Sequence, residues 1–247
     1  MKVLATYNIK GGVGKTATAV NLAWLAAAGG ARTLVWDLDP QGAATFYFRV
    51  KAKVKGGGEA IIQGRRAVDR AIKGTDFDNL DLLPADFSYR NMDLDLDGTK
   101  RRTRRIDLLL RPLAKEYDYV LLDCPPSISL VSENVFRAAD ALLVPLVPTT
   151  LSIRTLEQLD DFLDDHKARK RQQVLAFFSM VDQRKKLHRD LVDRVRADRP
   201  DLLTAQIPAA SDIERMGVHR APLPSYSPRS RSAAAYRALW DEIAARL

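Results

Sequence analysis

The chain has 247 residues, of which 46% are hydrophobic, and this length suits one large α/β domain or two small ones. Its formal net charge of +8 favours a polyanionic partner, and nucleic acid is favoured over a membrane. The sequence contains no apolar run of about 20 residues that could span a membrane. Because Cys124 is the single cysteine of the sequence, an intrachain disulfide and an intrachain iron–sulfur ligand set are excluded. This cysteine content fits a reducing compartment, and the sequence shows no signal-peptide pattern, so we expect a cytoplasmic protein.

The first feature in chain order is a glycine-rich loop between an apolar strand, residues 1–7, and an Ala- and Leu-rich helix, residues 17–28. Glycines let backbone N–H groups close round phosphate oxygens, and the helix N-terminus adds partial positive charge. In this context Lys15 is expected to reach the β- and γ-phosphates, and Thr16 to offer its hydroxyl to Mg²⁺. We therefore predict that a nucleotide contacts Lys10, Gly11, Gly12, Val13, Gly14, Lys15, Thr16 and Ala17.

Acidic residues follow two further apolar strands. Residues 33–36 lead into Asp37-Leu38-Asp39-Pro40-Gln41-Gly42, and residues 119–122 lead into Asp123. Carboxyl ends of parallel strands border the crevice where such sheets bind ligands, so we expect Asp37 and Asp39 to point into it. An acidic turn, with Pro and Gly as turn formers, is the alternative for the first segment. A carboxylate at the end of the second strand can hold Mg²⁺, usually through water.

The remaining pattern alternates apolar runs with helical periodicity, which is typical of βαβ units. Gly56-Gly57-Gly58 predicts a flexible turn, and residues 233–247 predict a C-terminal helix whose apolar stripe packs on the core. We predict a doubly wound, mostly parallel sheet flanked by helices, in a single domain over residues 1–247. Further strands are expected at 80–83, 141–147 and 174–180, and further helices at 101–115, 151–167 and 187–199.

The glycine loop departs from the standard pattern, because Ile9 stands where that pattern has its first glycine and Lys10 opens the loop instead. The arrangement K-G-G-x-x-K-[ST] resembles the deviant Walker A loop of the ParA/MinD ATPases. The resemblance implies ATP and Mg²⁺ as cofactors, and a Lys10 that reaches the partner's ATP in a nucleotide-sandwich dimer. It also implies that Asp39 positions the attacking water and that Asp123 ends a Walker B strand. The implied catalytic residues are Lys10, Lys15 and Asp39, and the implied metal-binding residues are Thr16, Asp39 and Asp123.

Two later segments resemble the base-proximal elements of the same family. The pattern M-x-D-x-R is present at Met180, Asp182 and Arg184, and Ile207-Pro208 matches a second element. By this resemblance Met180, Asp182 and Pro208 contact the nucleotide, and ATP is favoured over GTP. One departure is that Arg215-Met216-Gly217 replaces the family's E-A-P stretch, so family DNA contacts there cannot be carried over.

Clustered Lys and Arg bind phosphate backbones without reading sequence, although solvated helix faces are the alternative for each cluster. The resemblance implies nonspecific DNA binding by the ATP-bound homodimer, slow hydrolysis, an activating partner or cargo adaptor, and association with the nucleoid. A MinD-like membrane ATPase and a metabolic synthetase on the same scaffold are the alternatives. Other basic clusters lie at 51–55, 100–105 and 167–171. The nucleic-acid contacts that we expect first are Arg184, Lys185, Lys186 and Arg189, followed by Arg215 and Arg220.

Overall fold

An eight-stranded sheet runs through the computed structural model, which describes residues 1–165 and 172–247. The strand order is β3-β4-β2-β5-β1-β6-β7-β8, and every neighbouring pair is parallel except β3 with β4. The strands are β1 Lys2–Thr6, β2 Thr33–Asp37, β3 Lys73–Gly74, β4 Leu80–Leu83, β5 Tyr119–Asp123, β6 Ala141–Leu146, β7 Gln173–Val181 and β8 Gln206–Pro208.

Helices cover both faces of the sheet. Side chains of β1 alternate between the two cores, Val3 and Ala5 on one face and Leu4 on the other. Within residues 1–165 and 172–247, three short 3₁₀ turns add to the helices, at Asp69–Ala71, Phe87–Asn91 and Arg111–Lys115. The α-helices are α1 Lys15–Ala28, α2 Ala43–Tyr47, α3 Gly57–Ile62, α4 Met92–Asp97, α5 Arg105–Leu110, α6 Leu130–Ala138, α7 Thr150–Asp165, α8 Lys186–Asp198, α9 Ser211–Glu214, α10 Met216–His219, α11 Leu223–Tyr226 and α12 Arg231–Ala244.

The connections place a crevice beside β1. The chain leaves β1 through α1 and crosses β5 to reach β2, whereas it leaves β5 through α6 and crosses β1 to reach β6. Helix α1 packs in one core and α6 in the other, so the chain turns to opposite faces after these two neighbouring strands. This is the topological switch point at which open α/β sheets bind ligands. The predicted doubly wound, mostly parallel fold is confirmed.

The apolar stripe of α12 also lies where the sequence predicts it. Tyr236, Leu239 and Ile243 are buried in the same core as α1, and the Trp240 ring meets Tyr119 edge-on at 5.2 Å. Within residues 1–165 and 172–247, none of the helices combines the length and the apolar character that a membrane crossing requires.

Two expectations differ from the structure. The turn expected at Gly56–Gly58 is only partly present: Gly56 lies in a turn with φ 84° as the N-cap of α3, whereas Gly57 and Gly58 are the first residues of that helix. A Cβ on Gly58 would lie 2.5 Å from the Tyr89 ring, so the glycine permits tight packing. The helix expected over 101–115 begins only at Arg105 and becomes 3₁₀ at Arg111, because Pro112 cannot continue an α-helix. The basic cluster at 167–171 and the predicted end of the 151–167 helix lie outside the described residues.

Candidate functional site

The glycine loop joins β1 to α1 and is shaped for an anion. Gly14 has φ 93°, a conformation that favours glycine, and a Cβ there would lie 2.9 Å from the Ser179 hydroxyl oxygen and would displace that side chain. No side chain caps the start of α1, which is 14 residues long. The first backbone N–H groups of α1 are therefore left for a ligand, and a helix N-terminus favours a phosphate.

The two lysines of the loop have different environments. Lys15 is 7% exposed, and its ammonium donates a hydrogen bond to the Lys10 carbonyl oxygen at 3.2 Å. Burial lowers the Lys15 pKa, while the charges of Asp123, Cys124 and Asp39 act in the opposite direction. The Lys10 side chain is exposed, and within the described residues its ammonium has no hydrogen-bond or ion-pair partner. One lysine thus faces inward and the other is free for an external anion.

Asp123 lies at the floor of the crevice. Strand register places it beside Thr6 of β1 and Asp37 of β2. Its Oδ1 accepts a hydrogen bond from the Thr6 hydroxyl at 3.3 Å, whereas its buried Oδ2 has no hydrogen-bond partner in the described part of the chain. Burial is the main cause that raises the pKa of Asp123 far above its usual range, and the charge of Asp37 is the second. The Thr16 hydroxyl and the charge of Lys15 lower this pKa in part.

A buried carboxylate oxygen without a partner is costly, and a cation would satisfy it. Asp123 therefore fits a hydrated Mg²⁺, with the Thr16 hydroxyl as the neighbouring oxygen ligand. Within the described residues no group of three or more His, Cys, Asp or Glu could hold a metal by itself. Mg²⁺ does not need such a group, because it commonly takes one or two carboxylates together with substrate phosphates and waters.

Asp37 and Asp39 have different environments, which corrects the expectation that both point into the crevice. Asp37 is fully buried, and its Oδ2 accepts hydrogen bonds from the Thr45 amide at 2.8 Å and the Thr45 hydroxyl at 2.7 Å. The Thr45 hydroxyl in turn accepts from the Ala85 amide at 2.8 Å. We call this three-residue contact the Asp37 latch. Burial raises the Asp37 pKa above its usual range.

Asp39 is half-buried, and its Oδ1 accepts a hydrogen bond from the Gln41 amide at 2.9 Å. This leaves the Oδ2 of Asp39 for a ligand or water. Sequence reasoning missed the latch because Thr45 follows Asp37 by eight residues, across a turn whose shape no local pattern indicates.

The two segments that resemble base-proximal elements meet beside the glycine loop. Met180 adopts a left-handed backbone with φ 56° where the β7–β8 register shifts, immediately after Ser179, and Val181 pairs with Pro208. A non-glycine residue held in this region marks a constrained, often functional, position. The Asp182 carboxylate receives two hydrogen bonds from the Arg184 guanidinium, at 3.0 and 3.1 Å, which contribute to lowering its pKa to about 2.

The six expected nucleic-acid residues do not share one environment. Lys185, Lys186 and Arg189 are exposed at the start of α8, and Arg189 donates to the Gln183 carbonyl. Arg184 is 89% exposed although it is paired with Asp182, and Arg215 is exposed between α9 and α10.

Arg220 is instead engaged with α2. Its guanidinium lies 4.5 Å from the centre of the Phe46 ring and donates to the Phe46 carbonyl at 3.1 Å. Arg49 returns the contact, donating to the carbonyls of Arg220 at 3.1 Å and His219 at 3.0 Å. We call this reciprocal contact the arginine clasp. It joins the end of α2 to the end of α10.

Comparison with known proteins shows the family. A family model described as an AAA domain matches residues 1–176. The sporulation initiation inhibitor protein Soj of Bacillus subtilis is 32% identical over 249 residues, covering 99% of this chain and 98% of Soj. The chain belongs to the ParA/MinD family of ATPases. The chromosome partitioning protein ParA of Myxococcus xanthus, 31% identical over 98% of this chain and 87% of its own length, is a further relative.

A solved structure extends the comparison beyond the partition proteins of the ParA/MinD family. Cobyrinic acid a,c-diamide synthase of Mycobacterium smegmatis, with bound ADP and magnesium, superposes with a TM-score of 0.82 at 29% identity, covering 98% of this chain and 93% of that chain. The same scaffold therefore serves proteins with different names and tasks, and the site residues have to carry the functional argument.

Proposed function

We propose that this chain is an ATP-dependent dimerisation switch that binds DNA nonspecifically and hydrolyses ATP slowly, in order to partition or position DNA or another cellular cargo. The observation that carries the proposal is the contrast between the two lysines of the loop. Lys15 is buried beside Asp123, whereas the Lys10 ammonium is exposed and without a partner within the described residues. A cation free at the mouth of a phosphate loop suits contact with a second subunit's nucleotide.

Each residue of the site has a defined task in this proposal. The N-terminus of α1 and Lys15 hold the β- and γ-phosphates of ATP. Asp39 orients the attacking water, and Lys10 stabilises transition-state charge on the ATP of the partner subunit. Thr16 and Asp123 would hold Mg²⁺, which would neutralise part of the phosphate charge. Met180, Asp182 and Pro208 border the base.

DNA binding by the dimer rests on charge. The net charge of +8 and the exposed cluster at the start of α8 favour contact with phosphate backbones. Dimerisation brings two copies of this surface together, so phosphate contacts increase as a set when ATP is bound. An activating partner or cargo adaptor would accelerate the slow hydrolysis and return the protein to its ADP-bound form, within the cytoplasm and on the nucleoid.

Duplex DNA binding measured with ADP, ATP or a nonhydrolysable ATP analogue tests the proposal. We expect binding with ATP and the analogue, little with ADP, and little in any state for Lys10→Ala, which should still bind ATP with normal affinity. Analytical ultracentrifugation of the same samples reports dimerisation. A Lys10→Ala variant that forms dimers and hydrolyses ATP like the wild type would show that Lys10 is only a surface charge.

A charge-matched pair of variants tests the DNA surface. We expect the triple substitution Arg184→Ala, Lys185→Ala and Lys186→Ala to weaken binding to all sequences alike. It should also flatten the dependence of log K on log salt, by about 0.9 for each phosphate that is no longer neutralised. The control, named the distal triple, is Lys2→Ala, Lys115→Ala and Arg137→Ala. These residues are exposed and lie at the end of the sheet opposite the glycine loop.

The same experiment separates two other functions. The similarity to the diamide synthase supports a metabolic synthetase, for which DNA binding would be absent and ATP turnover would require a small carboxylic acid. A MinD-like membrane ATPase would ignore DNA and float with anionic liposomes when ATP is bound. Burial of the apolar face of α12 against the core disfavours this membrane function, because that face is not available to lipid.

A further inference from the structure

A cavity of about 680 Å³ lies at the β3 edge of the sheet, away from the glycine loop. Its walls come from the segment between α2 and α3, from the approach to β3 and from β3 itself. None of its lining residues belongs to the nucleotide site described above. The volume is within the range of small-molecule sites, about 300–1,000 Å³. The lining residues are Val50, Lys51, Lys53, Val54, Lys55, Gly56, Arg66, Ala71, Lys73 and Gly74.

The cavity lining is strongly basic. It contains four lysines and one arginine and no acidic residue. All four lysines are exposed, and within the described residues no side-chain hydrogen bond or ion pair engages their ammonium groups. The charge of Lys53 contributes to lowering the pKa of Asp86, a carboxylate outside the lining. The oxygens of Asp86 already accept hydrogen bonds from the Val54 amide and from Ser88. The positive charge of the cavity is therefore left for a ligand from outside.

Arg66 adds a second, independent indication. Its Nε is buried and has no hydrogen-bond partner in the described part of the chain, while its Nη2 donates to the Arg70 carbonyl. A buried N–H of a guanidinium without an acceptor is costly, and an anionic oxygen would satisfy it.

The remaining wall is apolar and anchored. Val54 and Ala71 are 4% and 3% exposed and belong to the main core, and the Val54 amide donates to Asp86 Oδ2 at 2.7 Å. Val50 stands beside them in the lining, and its amide donates to the carbonyl of Thr45, the central residue of the Asp37 latch, at 3.2 Å. The cavity thus combines an apolar side held by the core with the long, flexible side chains of its lysines.

We propose that this cavity binds a small nucleotide with two or more phosphates. The lysines and Arg66 hold the phosphates, and the apolar wall packs against the nucleoside. A DNA duplex presents its phosphates on a broad convex surface. It would therefore contact the exposed lysines of the cavity without reaching the apolar wall. Val50 in the wall is hydrogen-bonded to Thr45, and Thr45 is hydrogen-bonded to Asp37, so two hydrogen bonds connect the wall to the segment that carries Asp39.

Lysine acetylation followed by mass spectrometry tests the site residue by residue. The full chain is labelled alone, with inorganic tripolyphosphate, and with ADP. We expect at least a threefold fall in the reactivity of Lys51, Lys53 and Lys73 with either probe, at a lower concentration of ADP than of tripolyphosphate. Lys15 reports the glycine loop in the same spectra, so failure at one site is distinguishable from failure at the other.

Substitution then tests which groups hold the probe. In the triple variant Lys51→Ala, Lys53→Ala and Lys73→Ala, we expect protection of Lys55 to require about tenfold more ADP, since each lysine contributes a fraction of a kcal/mol or more. The distal triple should behave like the wild type. Unprotected cavity lysines at probe concentrations that protect Lys15 would overturn the proposal. Protection by tripolyphosphate that ADP does not match would overturn assignment to a nucleotide, and protection by duplex DNA alone would make the cavity part of a DNA surface.

Discussion

Thr45 offers a sharp test of how the switch segment is held in place. The change Thr45→Val keeps the shape of the side chain but removes a fully buried hydroxyl that donates to Asp37 and accepts from the Ala85 amide. A hydrogen bond to a charged group contributes about 1.5–3 kcal/mol, and an orphaned buried amide costs about 1–3 kcal/mol. We therefore expect the free energy of unfolding to fall by about 3 kcal/mol.

Thr45→Ser is the matched control, because it keeps both hydrogen bonds and removes only a methyl group, for about 1 kcal/mol. Urea denaturation of the nucleotide-free proteins, followed by circular dichroism at neutral pH, measures both changes. The difference of about 2 kcal/mol between the two variants isolates the hydroxyl. Equal midpoints for Thr45→Val and Thr45→Ser would refute the view that the hydroxyl links Asp37 to the segment that follows β4.

Three further substitutions examine the crevice. Lys15→Ala should abolish ATP binding in calorimetry, because the phosphates lose their main side-chain cation, and unchanged affinity would refute the phosphate-loop assignment. Asp39→Ala should accumulate an ATP-bound dimer with little phosphate release, and wild-type turnover would remove Asp39 from the mechanism. Asp123→Asn should stabilise the nucleotide-free protein increasingly as pH rises above the usual carboxyl pKa. The native state of the wild type keeps a proton there that the unfolded chain releases, so wild-type stability falls through the raised Asp123 pKa. Urea midpoints at pH 5 and pH 8 that move in parallel for wild type and Asp123→Asn would contradict this.

The sequence predicted the central strands well because both of their faces are buried. Every residue of β6 is buried, and such strands appear as continuous apolar runs that need no tertiary information. The glycine loop was equally visible, since its conformational and chemical demands fall within a short run of consecutive residues. The short strand β3 and the helices α2 and α3 lack such a signal, because neighbouring segments rather than local patterns determine them.

Tertiary contacts account for what the sequence could not predict at the site. The different environments of Asp37 and Asp39 depend on Thr45 and on Ala85, which lies 40 residues further along the chain than Thr45. The engagement of Arg220 with Phe46 joins residues 174 apart. The sequence predicted Arg220 as a second-choice nucleic-acid contact, and no local pattern indicated that its guanidinium lies against an aromatic ring.

Helix α2 joins the nucleotide crevice to the basic carboxyl-terminal half. The Asp37 latch holds its first turn through Thr45, and the arginine clasp holds its last residues against α10. Thr45 and Phe46 are adjacent in this five-residue helix, so only about 1.5 Å of helix rise separates the two contacts. A rearrangement of the Asp37–Gly42 segment on ATP binding must either break the latch or move Phe46 with α2. If Phe46 moves, Arg220 at the end of α10 loses or follows its partners. The exposed Arg215 lies at the start of the same helix. The proposed dependence of DNA binding on ATP thus has a contiguous route through hydrogen bonds, in addition to the doubling of charge by dimerisation.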